Sequence, residues 1–308
     1  MYFFSHPRII SEILLSRVNT NGGLRLHQNE TFTGVSWELG VEYDLSNELF
    51  TYAKARSSFR SGGFNGSAPA VDTDATEGGN KFDEETVQDI ELGMKYEGLL
   101  LSRPSRINLA VYHQWVDDVQ RIEFPVPPSG LGSIAVTANI PEMEVSGVEL
   151  EASMLITDLF EAGLVYAYTD AEFTDGDTVL FITEYSYGPV ANTPENTWSV
   201  WASLDIPVDP SLGAMSLYGE IYSQDEMYFS NAAATSVPGT KLDSYELVNM
   251  RFNWINMMGS NFSSAVFGKN LTDEEYFVGG MALGASLGHN AAAVGEPRTY
   301  GVSLTYDF

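Results

Sequence analysis

Cysteine is absent from all 308 residues, which excludes disulfide frameworks, thiolate metal centres and cysteine nucleophiles together. Positive charge is scarce: 15 Lys and Arg stand against 42 Asp and Glu, a formal charge of -27. A field of that sign repels phosphate backbones, so nucleic acid is excluded as a partner. Histidine occurs only at His6, His27, His113 and His289, and nothing in the pattern around them supplies the base and orienter of an acyl-transfer triad. The reading is therefore no enzyme, no cofactor and no catalytic residue. Long apolar runs are missing as well. A membrane helix needs roughly 20 mostly apolar residues in a row, and runs here are as short as Leu99-Leu100-Leu101. Met1 to Val18 has no basic start, and Glu12 breaks its apolar stretch, so it does not read as a secretory signal. Ile9, Ile10, Ile13 and Leu14 carry the spacing of a short amphipathic helix, or else mark an arbitrary start.

What is present is strict alternation, which places successive side chains on opposite faces of a sheet. Trp37, Leu39, Val41, Tyr43 and Leu45 share one face, with Glu38, Gly40, Glu42 and Asp44 on the other. The pattern returns in Ile90, Leu92, Met94 and Tyr96, in Ile107, Leu109, Val111 and Trp115, and in Val148, Leu150, Ala152 and Met154 opposite Glu149, Glu151 and Ser153. It returns again in Trp198, Val200, Ala202 and Leu204. The chain closes on Tyr300, Val302, Leu304, Tyr306 and Phe308. About eleven such strands are legible, most of about ten residues or longer, the length a tilted strand needs to cross a hydrocarbon layer.

A soluble sandwich also alternates, so loop lengths decide. The connections at Ser46-Asn47, Gly98 to Pro104, Thr157-Asp158, Pro207 to Gly213 and Met258 to Ser260 are short. Those at Ser61 to Glu85, Arg121 to Glu144, Asp175 to Glu195, Gln224 to Asp243 and Asn270 to Pro297 are long. Short and long alternate without a miss, as in an outer-membrane barrel with tight periplasmic turns and long extracellular loops. Trp37, Tyr43, Tyr96, Trp115, Trp198, Trp254 and Tyr306 near strand ends suit interfacial girdles. The expected fold is an all-β, antiparallel, up-and-down transmembrane β-barrel, present as about 11–12 strands of a larger barrel.

Phe59-Arg60-Ser61-Gly62-Gly63-Phe64-Asn65-Gly66, then Phe82 to Thr86 and Glu91-Leu92-Gly93-Met94-Lys95, follow one another as in a known family. So do Ser146-Gly147-Val148-Glu149-Leu150-Glu151 and Asn192-Thr193-Pro194-Glu195. The most specific stretches are Lys269-Asn270-Leu271-Thr272-Asp273-Glu274-Glu275-Tyr276 and Gly295-Glu296-Pro297-Arg298-Thr299-Tyr300-Gly301. Together they resemble the C-terminal half of the β-barrel domain of TonB-dependent outer-membrane receptors. The resemblance assigns residues 34–308 to the barrel and leaves 1–33 poorly matched. Tyr300, Val302, Leu304, Tyr306 and Phe308 resemble the outer-membrane assembly signal, which implies the barrel assembly machinery as a partner. Gly147 suits a twist or bulge in a strand, and Asn270 to Asp273 a turn whose side chains bond their own backbone.

The family resemblance implies an integral outer-membrane protein in contact with lipid and lipopolysaccharide. Its function would be uptake of a large, scarce ligand such as a ferric siderophore, driven by the TonB system through a plug domain. Neither a plug nor a TonB box is legible, and the strand number is half that of the plugged transporters of about 22 strands. The alternative is a passive or structural barrel, or a non-functional remnant of a receptor, and the chain alone is expected to bind no such ligand tightly. No ligand-binding residue is legible in the motifs, which mark fold. Phe64, Phe181, Tyr185, Tyr187, Tyr228 and Phe229 suit either a ligand vestibule or loop packing. Asp72, Asp74, Glu77, Asp83, Glu84 and Glu85, and Asp170, Glu172, Asp175 and Asp177, lack calcium-loop spacing and read as solvated loop surface, with no metal site.

Overall fold

The computed structural model describes residues 2–5, 9–17, 26–66, 68, 80–125, 134–175, 177–181, 183–231, 239–284 and 288–308, with side chains from residue 30 onward save at 141, 178, 183 and 185. Among the described residues twelve strands form one sheet. In chain order they are β1 (Tyr2–Ser5), β2 (Trp37–Asp44), β3 (Leu49–Arg60), β4 (Glu85–Leu100), β5 (Arg103–Glu123) and β6 (Val136–Thr157), followed by β7 (Phe160–Asp175), β8 (Asn196–Ile206), β9 (Ala214–Gln224), β10 (Tyr245–Ile255), β11 (Phe262–Lys269) and β12 (Thr299–Tyr306). Each pairs antiparallel with its neighbours in this order, a pure meander. The sheet is open, with β1 and β12 as its edges.

The register carries one apolar face across every strand from β2 to β12. Leu92 lies between Ala53 and Val111, Val111 opposite Val148, and Val148 opposite Tyr168. Farther along, Val200 lies opposite Ile221, Ile221 opposite Val248, and Val266 opposite Val302. All seven girdle aromatics named from the sequence share this face, because each keeps the parity of its strand. Trp37 and Trp198 stand at strand ends that meet long connections, Tyr43, Tyr96 and Trp254 at ends that meet short turns, and Tyr306 at that same end of the sheet, opposite Phe262.

Exposure separates this sheet from a sandwich. In β4 the apolar Ile90 and Leu92 are 49% and 62% exposed, while the side chains of Asp89 and Glu91 between them are only 12% and 21% exposed. The polar face is the enclosed one and the apolar face is uncovered. Apolar side chains lose free energy when removed from water, so such a face needs hydrocarbon against it.

The tight connections all lie at one end of the sheet. Leu101 and Ser102, with φ of 52° and 63°, make the two-residue turn between β4 and β5, positive at both positions as primed hairpin turns require. At the opposite end, five long connections each carry a two-stranded hairpin, such as Ile9–Arg17 with Leu26–Gly34 and Phe277–Met281 with Ala291–Val294. Ile9–Arg17 is therefore a strand, not the helix its spacing suits. Nine cross-strand pairs with residues 26–34 satisfy its backbone, and tertiary pairing outranks local spacing. The long connection expected over Arg121 to Glu144 is also shorter: β5 runs through Glu123 and β6 starts at Val136, so both strands continue past the length a bilayer requires.

Candidate functional site: the polar face and the long-loop end

The polar face is built from the residues that alternate with the apolar ones. Arg56 on β3 binds Asp89 at 2.8 Å and Glu91 at 2.7 Å, both on β4, and Glu91 also accepts a 2.7 Å hydrogen bond from the Tyr52 hydroxyl. Charge-assisted pairs of this kind fix side-chain geometry across strands. The same face holds four aromatic rings laid on glycines directly opposite them: Tyr52 on Gly93, Tyr112 on Gly147, Trp201 on Gly163 and Phe267 on Gly301. A Cβ at these glycines would stand 2.2, 2.3, 2.5 and 2.3 Å from the ring atoms. Gly147 thus provides room for Tyr112, a close approach; of the twist or bulge expected from the sequence, the bulge is not what it makes, since the ladder is regular across it.

At the long-loop end the polarity of the two faces inverts. The row Val87–Val116–Met143–Phe173 lies on the enclosed side and packs with Val119, Ile140 and Tyr187. On the other side the same strands present Glu144 opposite Glu172, and His113 opposite Ser146. The backbone is locally irregular at this core: Asp118 has φ 55° although the β5–β6 register runs unshifted past it, and Val116 and Val119, three residues apart, enter one cluster. The Asn139 side chain holds this point by donating to the Asp118 carbonyl at 2.9 Å. The buried hydrophobic clusters of the described residues sit at this end and not in the wall.

Amides weld the connection between β3 and β4, with its hairpin Gly63–Phe64 and Lys81–Phe82, to β5 and β6. Asn65 both accepts from the backbone N–H of Thr137 and donates to its carbonyl, each at 2.7 Å. Gln120 donates to the carbonyls of Ser61 and Asp83 at 3.0 and 2.9 Å, and its N–H reaches the Glu85 carboxylate at 2.6 Å. Buried polar groups so satisfied hold a loop in one geometry. Above them, burial pushes the Glu123 carboxyl up to about 7, against the nearby Tyr187 hydroxyl and the charge of Arg121.

Of the aromatics named for a vestibule, Phe181, Tyr187 and Phe229 pack into the loop clusters; the side chain of Tyr185 lies outside the described residues. Asp72, Asp74 and Glu77 lie outside them too, while Asp83 pairs with Lys81 at 3.1 Å and Asp177 accepts from Ser186 at 2.6 Å. Among the described residues no three His, Asp or Glu converge closely enough to hold a metal ion. His113 does meet a serine and a carboxylate, Ser146 Oγ at 2.7 Å and Glu144 at 3.4 Å. It does so on the apolar parity beside Trp115, 4.2 Å between ring centroids. Both strands there are laddered, so their backbone donors are engaged and form no oxyanion hole.

The two most specific sequence stretches meet in space. Asn270, φ 48° and buried, accepts from the N–H of Glu274 and donates to the carbonyls of Glu274 and Glu296, at 2.8, 2.8 and 3.1 Å. Arg298 binds Asp273 at 3.0 Å and Lys269 binds Glu296 at 3.3 Å. The Tyr276 ring covers Gly295, where a Cβ would stand 2.2 Å away. The turn expected at Asn270 to Asp273 is thus present, and it also clamps the approach to β12. That second role needed the partner stretch, 26 residues away, which spacing alone does not place.

Residues 12–271 match the family model for the TonB dependent receptor-like β-barrel. The ferrioxamine B receptor of Salmonella typhimurium is 24% identical over 84% of this chain and 33% of its own length. The metal-pseudopaline receptor of Pseudomonas aeruginosa is 25% identical over 95% of this chain and 36% of its own. The crystal structure of the ferric yersiniabactin uptake receptor of Yersinia pestis superposes with a TM-score of 0.73, at 18% identity, over 98% of this chain and 42% of that one. The chain spans about a third of the length of the relatives it matches. With its uncovered apolar face, meander order and family match over most of its length, this chain belongs to the TonB-dependent receptor β-barrels, integral proteins of the outer membrane.

Proposed function

We propose that this chain is the wall of a receptor that takes up a metal chelate, of the ferric siderophore class, across the outer membrane. The observation that carries it is the inverted sheet: an enclosed, hydrogen-bonded polar face backed by a bare apolar one, with the β3–β4 connection welded to the wall through Asn65, Gln120 and Asn139. Such a wall is rigid on the side a large polar ligand passes and leaves rearrangement to another element. That element is a plug acting with the TonB system. The named relatives, receptors for ferrioxamine B and metal-pseudopaline, support the ligand class. The exposed Tyr300, Val302, Leu304, Tyr306 and Phe308 are proposed to present the last strand to the barrel assembly machinery, and the acidic hairpin end to face lipopolysaccharide.

The test is energy-dependent uptake of a panel of ferric siderophores in receptor-deficient cells. One set of cells expresses the chain with an export signal; another expresses it joined to the plug and remaining strands of a relative. Uptake by the joined form that disappears when TonB is deleted is expected. No uptake by a joined form that reaches the outer membrane folded overturns the reading in favour of a passive or structural barrel.

A further inference from the structure

Where β9, β10 and β11 run side by side, the polar face holds a hollow of about 450 Å³, lined by Tyr218, Arg251, Phe267, Lys269 and Glu220 among others. That size is in the range of small-ligand sites. Arg251 is the arginine of this hollow. In a chain with 42 acidic residues against 15 basic ones, Arg56, Arg103, Arg106 and Arg298 each hold a carboxylate. Among the described residues Arg251, like Arg60 and Arg121, has none within the 4.0 Å reach of an ion pair, and of these three it is the one that lines the hollow. Its Nε donates to the Asn253 side-chain oxygen at 2.7 Å, which orients the guanidinium and leaves its two terminal nitrogens for a ligand. A guanidinium presented end-on matches the two oxygens of a carboxylate.

The walls beside it are flat and fixed. The guanidinium carbon lies 5.8 Å from the centroid of Phe267, a ring held down on Gly301. Tyr218 stands directly opposite Arg251 and stacks on Trp201, 6.3 Å between centroids at 24°. The other lining charges limit the ligand. Lys269 is paired with Glu296, and Glu220, bonded to Ser199 at 2.8 Å, adds a negative charge one row away.

We propose that this hollow binds a ligand bearing a single carboxylate on a flat aromatic body. The carboxylate is clamped by Arg251, the ring lies against Phe267 and Tyr218, and Glu220 rejects ligands of higher negative charge. The proposal rests on the reading of this face as the conducting side and names the chemistry it selects.

The test is 19F NMR line broadening of 4-fluorobenzoate and of its neutral isostere 4-fluorobenzamide with the full chain in detergent micelles, corrected with empty micelles. The benzoate is expected to bind at least tenfold more tightly than the amide. R251Q should erase the difference, and citrate should compete worse than unlabelled benzoate. Equal binding of acid and amide, R251Q that still discriminates, or citrate as the better competitor would overturn the site. If R251Q does not fold, R251K carries the test: it keeps the charge without the fork and should lower benzoate affinity several-fold, and unchanged affinity refutes the clamp. Binding in micelles needs neither plug nor TonB. Benzoate selectivity without uptake therefore refutes the transport reading alone, and uptake without selectivity refutes this site alone.

Discussion

The side-chain amide of Asn270 donates to the carbonyl oxygens of Glu274 and Glu296 at 2.8 and 3.1 Å, joining the turn after β11 to the approach to β12. Because Asn270 is buried, removing its amide leaves those groups unsatisfied, at about 1–3 kcal/mol each. Asn270→Ala is expected to destabilise the fold by about 2–4 kcal/mol in denaturant titrations in micelles. Asn270→Asp should be nearly as harmful, since a carboxylate would face two carbonyls.

Gly147 leaves room for the Tyr112 ring, which a Cβ would meet at 2.3 Å. Gly147→Ala should cost about 1–3 kcal/mol by overpacking. In the background of Tyr112→Ala the same change should cost much less, and the double-mutant cycle should return a coupling of about 1 kcal/mol or more. Additive losses would show that the ring can move aside.

Leu92 and Glu149 test the two faces. Leu92→Arg places a charge on the apolar face and is expected to cost about 2–4 kcal/mol in a lipid bilayer if the site is near the midplane. Glu149→Gln, on the polar face, should cost well under half as much. The comparison is of refolding equilibria in lipid vesicles, and the reverse ranking would mean the faces are exchanged.

Glu123 makes the hairpin end sensitive to pH. Its carboxyl is raised to about 7 from an ordinary 4.5. The folded state therefore favours the proton, and the associated stability is full below about 4.5 and lost as pH rises through about 7. Hydrogen-exchange protection factors, in which the intrinsic pH dependence of amide exchange is divided out, are expected to be higher in residues 134–140 and 183–188 at pH 5 than at pH 8. Glu123→Gln should make the two alike, with a difference in the parent of up to about 3 kcal/mol.

Phe308 ends the chain beyond β12, its ring edge-on to Tyr306 at 5.1 Å. If the last strand is read by the assembly machinery, deleting Phe308 should lower the folded amount in the outer membrane several-fold. Refolding in detergent in vitro should change little. Equal losses in both would make Phe308 a packing residue.

The sequence by itself determined the fold class, the two faces and the end that carries the long connections. These follow from period-two alternation and from turn spacing, which are local properties: Leu92 and Val148 declare their face through their immediate neighbours. Tyr112 over Gly147, Arg251 without a carboxylate, and Asn270 reaching Glu296 were decided only by the tertiary structure. Each depends on register between strands, and register is set by many cross-strand pairs acting together, so no short window contains it. The positive φ of Asp118 belongs to the same class. Val116 and Val119, on opposite parities of β5, enter one core across it, whereas alternation read along the strand assigns them to opposite faces.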